Sequence, residues 1–128
     1  MINKENPSQE YKDLVESYKV LHKGEGKFQG HSLLPCIPYI HKAIIKNNCK
    51  TLLDYGCGKA LPYNNKRYKE LKLVKPIQDL WELNSYSLYD PGYEEYSKIP
   101  TGKYDMVICT DVLEHIPEQD LEWVLKRI

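Results

Sequence analysis

Residues 52–64 read LLDYGCGKALPYN. Two leucines run into Asp54, and Gly56 and Gly58 follow at once. A short apolar run bounded by turn residues is typical of a buried strand in a parallel sheet. Glycine adopts backbone angles that other residues avoid, and it lets a ligand approach the main chain. The stretch therefore predicts a buried strand that ends at Asp54, followed by a turn that either joins a strand to a helix or holds a ligand.

Apolar residues at helical spacing predict two helices before this strand. The first helix is capped by Asn6, has Pro7 in its first position, and ends at Gly24 and Gly26. Asn47 and Asn48 are expected to end the second. The predicted buried faces are Tyr11, Leu14, Val15, Tyr18 and Leu21 in the first helix, and Leu34, Ile37, His41, Ile44 and Ile45 in the second.

Further strands and helices are predicted after the glycine turn. The stretches YSLYD (86–90) and YDMVIC (104–109) are strand candidates. Residues 66–84 are ambiguous, with some helical character that Pro76 interrupts. The last helix starts at Pro117, and its predicted buried face is Leu121, Val124, Leu125 and Ile128.

This order of elements predicts an α/β fold. Helices and strands that alternate along a chain indicate a mostly parallel sheet flanked by helices. We expect one domain over residues 1–128, with N-terminal helices in residues 1–48 and a ligand-binding core in residues 49–128.

Composition excludes several classes of protein. Lys plus Arg and Asp plus Glu both number 18, which removes the usual electrostatic argument for binding nucleic acid. No apolar run approaches the roughly 20 residues that cross a bilayer, and the N-terminus lacks the apolar core of a signal peptide. We therefore expect no membrane association. The four cysteines form no C-x-x-C pair and favour a reduced, cytoplasmic protein: Cys36, Cys49, Cys57 and Cys109.

Three acidic residues come at the ends of the predicted strands. Asp54 and Asp90 close the first two strands, and Asp111 follows the third. The carboxyl ends of parallel strands share one edge of a sheet, where ligands of α/β proteins bind. The phosphate-binding pattern G-x-x-x-x-G-K-[ST] is absent. The acids suit a ligand with a positive charge and a ribose better than a pyrophosphate.

These residues resemble the class I S-adenosylmethionine-dependent methyltransferases, in particular the small-molecule branch of types 11 and 12. LLDYGCGKA (52–60) resembles the first motif of that family, and YDMVICTDVLEHIP (104–117) resembles its fourth-strand motif. LYDPG (88–92) resembles the acidic end of its second strand. The resemblance implies a Rossmann-like methyltransferase fold and S-adenosylmethionine as cofactor.

The resemblance also implies roles for individual residues. The glycine turn would carry the methionine part of the cofactor, Asp54 would organise the loop and the ammonium group, and Asp90 would accept hydrogen bonds from the ribose hydroxyls. The implied cofactor-binding residues are Asp54, Tyr55, Gly56, Cys57, Gly58, Asp90, Pro91, Thr110 and Asp111.

The chain departs from the family pattern in three ways. Ala60 stands where the first motif has a third glycine, and Asp90 follows Gly58 by 32 positions, which indicates an insertion. Only 15 positions separate Asp90 from Asp105, too few for the helix and strand that the family places there. The sequence ends at Ile128, before the family's C-terminal strands. We therefore expect a reduced sheet with an uncovered edge, for which a longer native chain, a partner or a homo-oligomer would account.

The leading expectation is an enzyme that methylates an unidentified acceptor, with a small molecule favoured over nucleic acid. The first alternative is a truncated, non-catalytic module that binds the cofactor or a partner. The second is a metal-assisted RNA 2′-O-methyltransferase-like enzyme, because D-x-x-E-H at 111–115 resembles the E-x-x-E-H motif of such enzymes. That metal site would need a second histidine from a segment this chain lacks, so we predict no metal. The catalytic residue is not identified, and the candidates are Asp111, Glu114 and His115.

The remaining chemically active residues are expected to be structural. Cys57 and Cys109 are predicted to be small buried hydrophobes. Phe28 and His31 could belong to a lid over the cofactor, although simple packing is favoured. The run YNNKRYKELK (63–72) could stack on and pair with nucleic acid, but a solvated, lysine-rich segment is the preferred interpretation.

Overall fold

The structure, a computed structural model, describes residues 1–24 and 31–127. The predicted order of helix, helix, strand, turn, helix, strand, strand and helix is confirmed. Short 3₁₀ turns connect several of these elements. The helices are α1 (Gln9–His22), α2 (Ile37–Asn47), α3 (Ile77–Leu80) and α4 (Glu118–Arg127), and the strands are β1 (Thr51–Tyr55), β2 (Ser85–Tyr89) and β3 (Met106–Ile108).

The three strands form one parallel sheet in the order β2-β1-β3. Thr51 lies opposite Ser85 in β2, and Leu52 lies opposite Met106 in β3. The central strand β1 ends at Tyr55, one residue beyond the predicted Asp54. The prediction of an α/β fold with a parallel sheet flanked by helices is therefore confirmed.

Side chains of β1 alternate between two cores, as the period of a strand requires. Leu52 packs with residues of α2 and α3 on one face of the sheet. Leu53 and Tyr55 pack with residues of α1 and α4 on the other face. Asp54, between them, points to the face that α2 and α3 cover, where it meets Tyr63. The helices therefore cover both faces.

The predicted start of α1 at Asn6 is wrong. Ser8 is the cap, because its hydroxyl oxygen accepts a hydrogen bond from the backbone N–H of Tyr11 at 3.1 Å. The buried face near the C-terminus of α1 also differs from the predicted one. Leu21, predicted to be buried, is 44% exposed, and His22 is buried in its place. Gly26, the other predicted stop, lies outside the described residues.

Helix α4 begins after Pro117 as predicted, but its buried face is rotated by about one residue. Leu125 is 54% exposed, whereas Trp123 and Asp120 are buried. The ring of Trp123 packs edge-on against Tyr11, with centroids 4.9 Å apart. The large aromatic surface decides which side of the helix faces the sheet, because burying it contributes more than burying a leucine. Ile128, the last residue of the predicted face, lies outside the described residues.

The two segments that depart from the family pattern contain little regular structure. Residues 59–84 hold two 3₁₀ turns and the one-turn helix α3, and Pro76 precedes α3 instead of interrupting a longer helix. Residues 90–105 hold one 3₁₀ turn, Glu94–Tyr96. The expected replacement of a helix and strand between Asp90 and Asp105 by a loop is confirmed.

Both outer strands, β2 and β3, are edges of the sheet as far as the described residues go. The expectation that something covers an edge stays a prediction. Within residues 1–24 and 31–127, every helix is too short or too polar to cross a bilayer.

Candidate functional site

A cavity of about 310 Å³ lies at the carboxyl edge of the sheet. Its floor consists of the loops that follow β1, β2 and β3, and helix α1 forms one wall. This volume is at the lower end of the roughly 300–1,000 Å³ that is typical of small-molecule sites. Eight of the nine residues that the sequence assigned to cofactor binding line it: Tyr55, Gly56, Cys57, Gly58, Asp90, Pro91, Thr110 and Asp111.

Helix α1 contributes an apolar wall that the sequence did not predict for this site. Leu14, Val15 and Tyr18 belong to the predicted buried face of this helix, which we expected to pack in the core. In the structure these three side chains line the cavity. Gly92, after β2, lets the helix approach, since a Cβ there would lie 2.7 Å from the Cβ of Tyr18. Lys59 donates a hydrogen bond to the carbonyl oxygen of Gly24, two residues beyond the end of α1, at 2.7 Å.

Asp90 holds the glycine turn in place. Its Oδ2 accepts a hydrogen bond from the backbone N–H of Gly58 at 2.8 Å, and its Oδ1 accepts one from the N–H of Gly92 at 2.8 Å. A carboxylate offers about four acceptor positions, so both oxygens retain a lone pair for a ligand. The side chain is half-buried and lines the cavity. Asp90 can therefore hold the loop in place and contact a bound molecule at the same time.

Gly56 is required by close packing at the base of the cavity. Its φ of +90° is strained for any other residue, and a Cβ built there would overlap the side chain of Val112. Its N–H donates to the carbonyl oxygen of Tyr89 at 2.6 Å, which joins the turn to the end of β2. That this glycine lets a ligand approach the backbone stays a prediction. The closeness of Val112 is by itself sufficient to require glycine at this position.

Asp54 is the one predicted cofactor residue that does not line the main cavity. It borders a small adjacent space, where Thr110 and Ser32 are neighbours that also line the main cavity. Tyr63 donates its hydroxyl to Oδ2 at 2.9 Å, while Oδ1 has no hydrogen-bond partner among the described residues. Burial raises the pKa of Asp54 to about 7; the Tyr63 hydrogen bond opposes this shift and the charge of Asp90 adds to it.

The candidate catalytic residues lie together at the exposed side of the cavity. His115 Nε2 is 3.4 Å from Oδ1 of Asp111 and 3.7 Å from Oε1 of Glu114. The hydrogen bond that Asp111 shares with Glu114, followed by the hydrogen bond and the charge of His115, holds the pKa of Asp111 below its ordinary value. Asp111 and His115 line the cavity, whereas Glu114 does not. One ligand atom from each of the three lies within 4.8 Å of the others, and no further ligating residue joins them in the described part of the chain.

The two cysteines near the cavity are poor nucleophiles. Burial raises the pKa of the Cys57 thiol far above its usual range and that of Cys109 to about 11, and the charge of Asp54 adds to both shifts. A thiol that stays protonated is unreactive as a nucleophile. Of the proposed lid residues, His31 lines the cavity and Phe28 lies outside the described residues.

No family model, curated protein or solved structure matches the chain in comparisons with known proteins. The chemistry of the site therefore follows from its own residues. Among the described residues that line the cavity there are two carboxylates, three histidines and no lysine or arginine. Such a lining favours a ligand that is neutral or cationic and disfavours a phosphate.

Proposed function

We propose that the chain binds S-adenosylmethionine in this cavity and transfers its methyl group to an acceptor. The observation that carries the proposal is the position of Asp90. This carboxylate directly follows β2, the strand beside β1. It lines the cavity and accepts a hydrogen bond from the backbone N–H of Gly58 at 2.8 Å. A Rossmann-like methyltransferase would need these groups at this edge of the sheet.

The charges of the residues that line the cavity also fit S-adenosylmethionine. The cofactor carries a sulfonium, an ammonium group and a ribose but no phosphate. The cavity offers carboxylates and lacks described lysine and arginine side chains. Dinucleotides and nucleoside triphosphates would meet Asp90 and Asp111 without a cationic partner, which disfavours them.

Each part of the ligand has a candidate partner. The free lone pairs of Asp90 can accept hydrogen bonds from the ribose hydroxyls. The turn at Gly56 and Gly58 would lie beneath the methionine part. The unpartnered Oδ1 of Asp54 borders the space next to that turn, where a water molecule could connect it to the ammonium group.

The catalytic contribution of the chain would be mainly alignment. The bound sulfonium supplies an activated methyl group, so the acceptor needs the correct distance and, where it carries a proton, a base. The apolar wall of α1 excludes water from one side of the cavity. A small-molecule acceptor suits this cavity better than a nucleic acid does, because the described lining residues include no lysine or arginine to contact phosphates.

A second candidate is a module that binds the cofactor without methylating anything. The sheet of only three strands in the described chain favours it, because acceptor sites of α/β enzymes depend on further loops. Turnover of labelled S-adenosylmethionine by the complete gene product separates the two functions.

Isothermal titration calorimetry tests the proposed ligand directly. S-adenosylmethionine and S-adenosylhomocysteine should both bind, and ATP and NAD should bind far more weakly. Circular dichroism of the same sample establishes that the protein is folded. A folded protein that binds neither adenosyl compound at millimolar concentration, or that prefers ATP or NAD, would contradict the proposal.

A further inference from the structure

We propose that His115, oriented by Asp111, is the general base of this site, and that the acceptor is a phenol. This inference rests on the proposed function and deepens it. It rests on the contact between Asp111 and His115 at the cavity mouth and on the apolar wall that α1 contributes to the same cavity.

The first step is the orientation of the imidazole ring. Asp111 Oδ1 lies 3.4 Å from His115 Nε2, and Glu114 adds a second carboxylate at 3.7 Å. Carboxylates beside one ring nitrogen favour the tautomer that carries hydrogen there. Nε2 then holds the proton, and Nδ1 is left as the basic nitrogen.

The second step is the backbone of Asp111. Its φ of +56° is uncommon for a residue with a side chain, although aspartate tolerates it better than most. Asp111 lies three positions after Ile108, the last residue of β3, in the loop that lines the cavity. Unusual backbone angles that persist at the edge of a cavity often serve to aim a side chain.

The third step is the surroundings of His115. The ring of Tyr18 stands edge-on to the imidazole, with centroids 6.5 Å apart and planes at 73°. Leu14 and Val15 of α1 extend this wall, and Ile116 borders the cavity beside His115. A flat aromatic body fits between such walls, and its hydroxyl can face the imidazole. An acceptor that carries an anionic group would meet Asp90 and Asp111 there without a lysine or arginine partner among the described lining residues.

The reaction then balances without another reactant. The phenol oxygen attacks the methyl carbon as its O–H proton passes to Nδ1 of His115. The new O–CH₃ bond replaces the S–CH₃ bond, and the electron pair of the broken bond stays on the sulfur, which becomes a neutral thioether. Asp111 and Glu114 stabilise the imidazolium, and its proton returns to water because His115 is exposed.

Nitrogen-15 NMR of the histidine rings tests the orientation without any turnover. With S-adenosylhomocysteine bound, wild-type His115 should be mainly the Nε2–H tautomer, and Asp111→Asn should shift it toward a mixture. Titration with phenol should move the His115 signals and leave those of His41 in place. A mixed tautomer in the wild type, or no change in Asp111→Asn, would overturn the assignment.

Methyl transfer to a pair of phenols tests the base itself. His115→Gln should lower the rate for unsubstituted phenol by about a hundredfold or more, the usual contribution of a general base. It should change the rate for 4-nitrophenol, already ionised in mildly alkaline buffer, by no more than about threefold. His41→Gln, on α2, is the matched control and should affect neither rate.

Several results would overturn the inference. These are equal losses for both phenols in His115→Gln, an unchanged rate for unsubstituted phenol, or transfer that needs an added divalent cation. Wild-type protein that binds S-adenosylhomocysteine but methylates no phenol would overturn the phenol assignment and leave the proposed cofactor intact. Absence of S-adenosylhomocysteine binding would instead contradict the proposed function itself.

Discussion

The carboxylate of Asp90 accepts a hydrogen bond from the backbone N–H of Gly58 at 2.8 Å, across 32 positions of sequence. This contact joins the end of β2 to the turn that follows β1. A second contact to Gly92, also 2.8 Å, fixes the loop after β2 itself. One side chain thus determines the shape of two of the three loops that form the floor of the cavity.

Replacing Gly56 should disrupt the base of the cavity. Gly56→Ala places a Cβ into the side chain of Val112 and strains a φ of +90°, so we expect a loss of about 2–4 kcal/mol in the free energy of unfolding. Gly102→Ala is the matched control, because Gly102 has a φ of +98° and open space around it. Urea unfolding measures both. Equal losses would show that backbone strain alone matters and that contact with Val112 does not.

The double variant Gly56→Ala/Val112→Ala should recover part of this loss. Val112→Ala removes both methyl groups of Val112, one of which overlaps the new Cβ of residue 56. The Cβ of residue 112 stays 3.3 Å from that new Cβ. We expect the double variant to lose at least about 1 kcal/mol less in the free energy of unfolding than the sum of the two single losses, because substitutions at contacting sites are usually not additive. Additive losses in urea unfolding would contradict the proposed clash.

Asp120 should be essential to the position of α1. This fully buried carboxylate accepts hydrogen bonds from the backbone N–H of Ser8 at 3.0 Å, from the Ser8 hydroxyl, and from Nε1 of Trp123 at 2.8 Å. Asp120→Ala leaves these donors without a partner, and we expect a loss of about 3 kcal/mol. Asp13→Ala, on the exposed side of α1, should change stability by no more than about 0.5 kcal/mol. Chemical unfolding decides between these expectations.

The contribution of Asp120 should also depend on pH. Burial opposes its ionisation, but the hydrogen bonds from Ser8 and Trp123 together hold its pKa below the ordinary value. A lowered pKa stabilises the folded state above the unfolded-state pKa, near 4, and this contribution is lost as the pH falls further. The stability difference between wild type and Asp120→Ala should therefore shrink in acid. A difference that stays constant to the lowest pH at which both fold would contradict this.

Asp54 should affect the pH dependence of stability in the opposite direction from Asp120. Its pKa of about 7 means that the folded state holds a proton which the unfolded chain has released above a pH near 4. The free energy of unfolding should fall between about pH 4 and 7, by up to about 1.4 kcal/mol per unit, and this group should add little above 7. Asp54→Asn should remove that part of the slope, whereas exposed Asp79→Asn should not. Parallel curves for wild type and Asp54→Asn would exclude a raised pKa at Asp54.

The sequence predicted the elements better than their faces. The run of apolar residues into Asp54 and the glycine turn identified β1, because a buried parallel strand needs both. The order of elements predicted the parallel sheet, which brings Asp90 and Asp111 to one edge. Eight of the nine predicted cofactor residues line the cavity because they follow directly from the ends of parallel strands.

What the sequence did not predict depends on contacts between distant segments. Ser8 is the cap of α1 in place of Asn6 because Asp120, more than a hundred residues away, also binds it. The packing of Trp123 on Tyr11 sets the buried face of α4, and helical spacing alone could not choose it. The approach of α1 to the cavity depends on Gly92, whose role appears only when Tyr18 lies against it.

The most direct measurement is a calorimetric cycle at Asp90. S-adenosylhomocysteine and its 2′,3′-dideoxy analogue are titrated into wild type, Asp90→Asn and the control Asp79→Asn. Wild type and the control should prefer the hydroxylated ligand by at least about tenfold, or about 1.4 kcal/mol, and Asp90→Asn should lose that preference. Because both ligands meet the same loop, any disorder that the variant causes in the turn cancels. The same preference in wild type and Asp90→Asn would contradict a ribose site at Asp90.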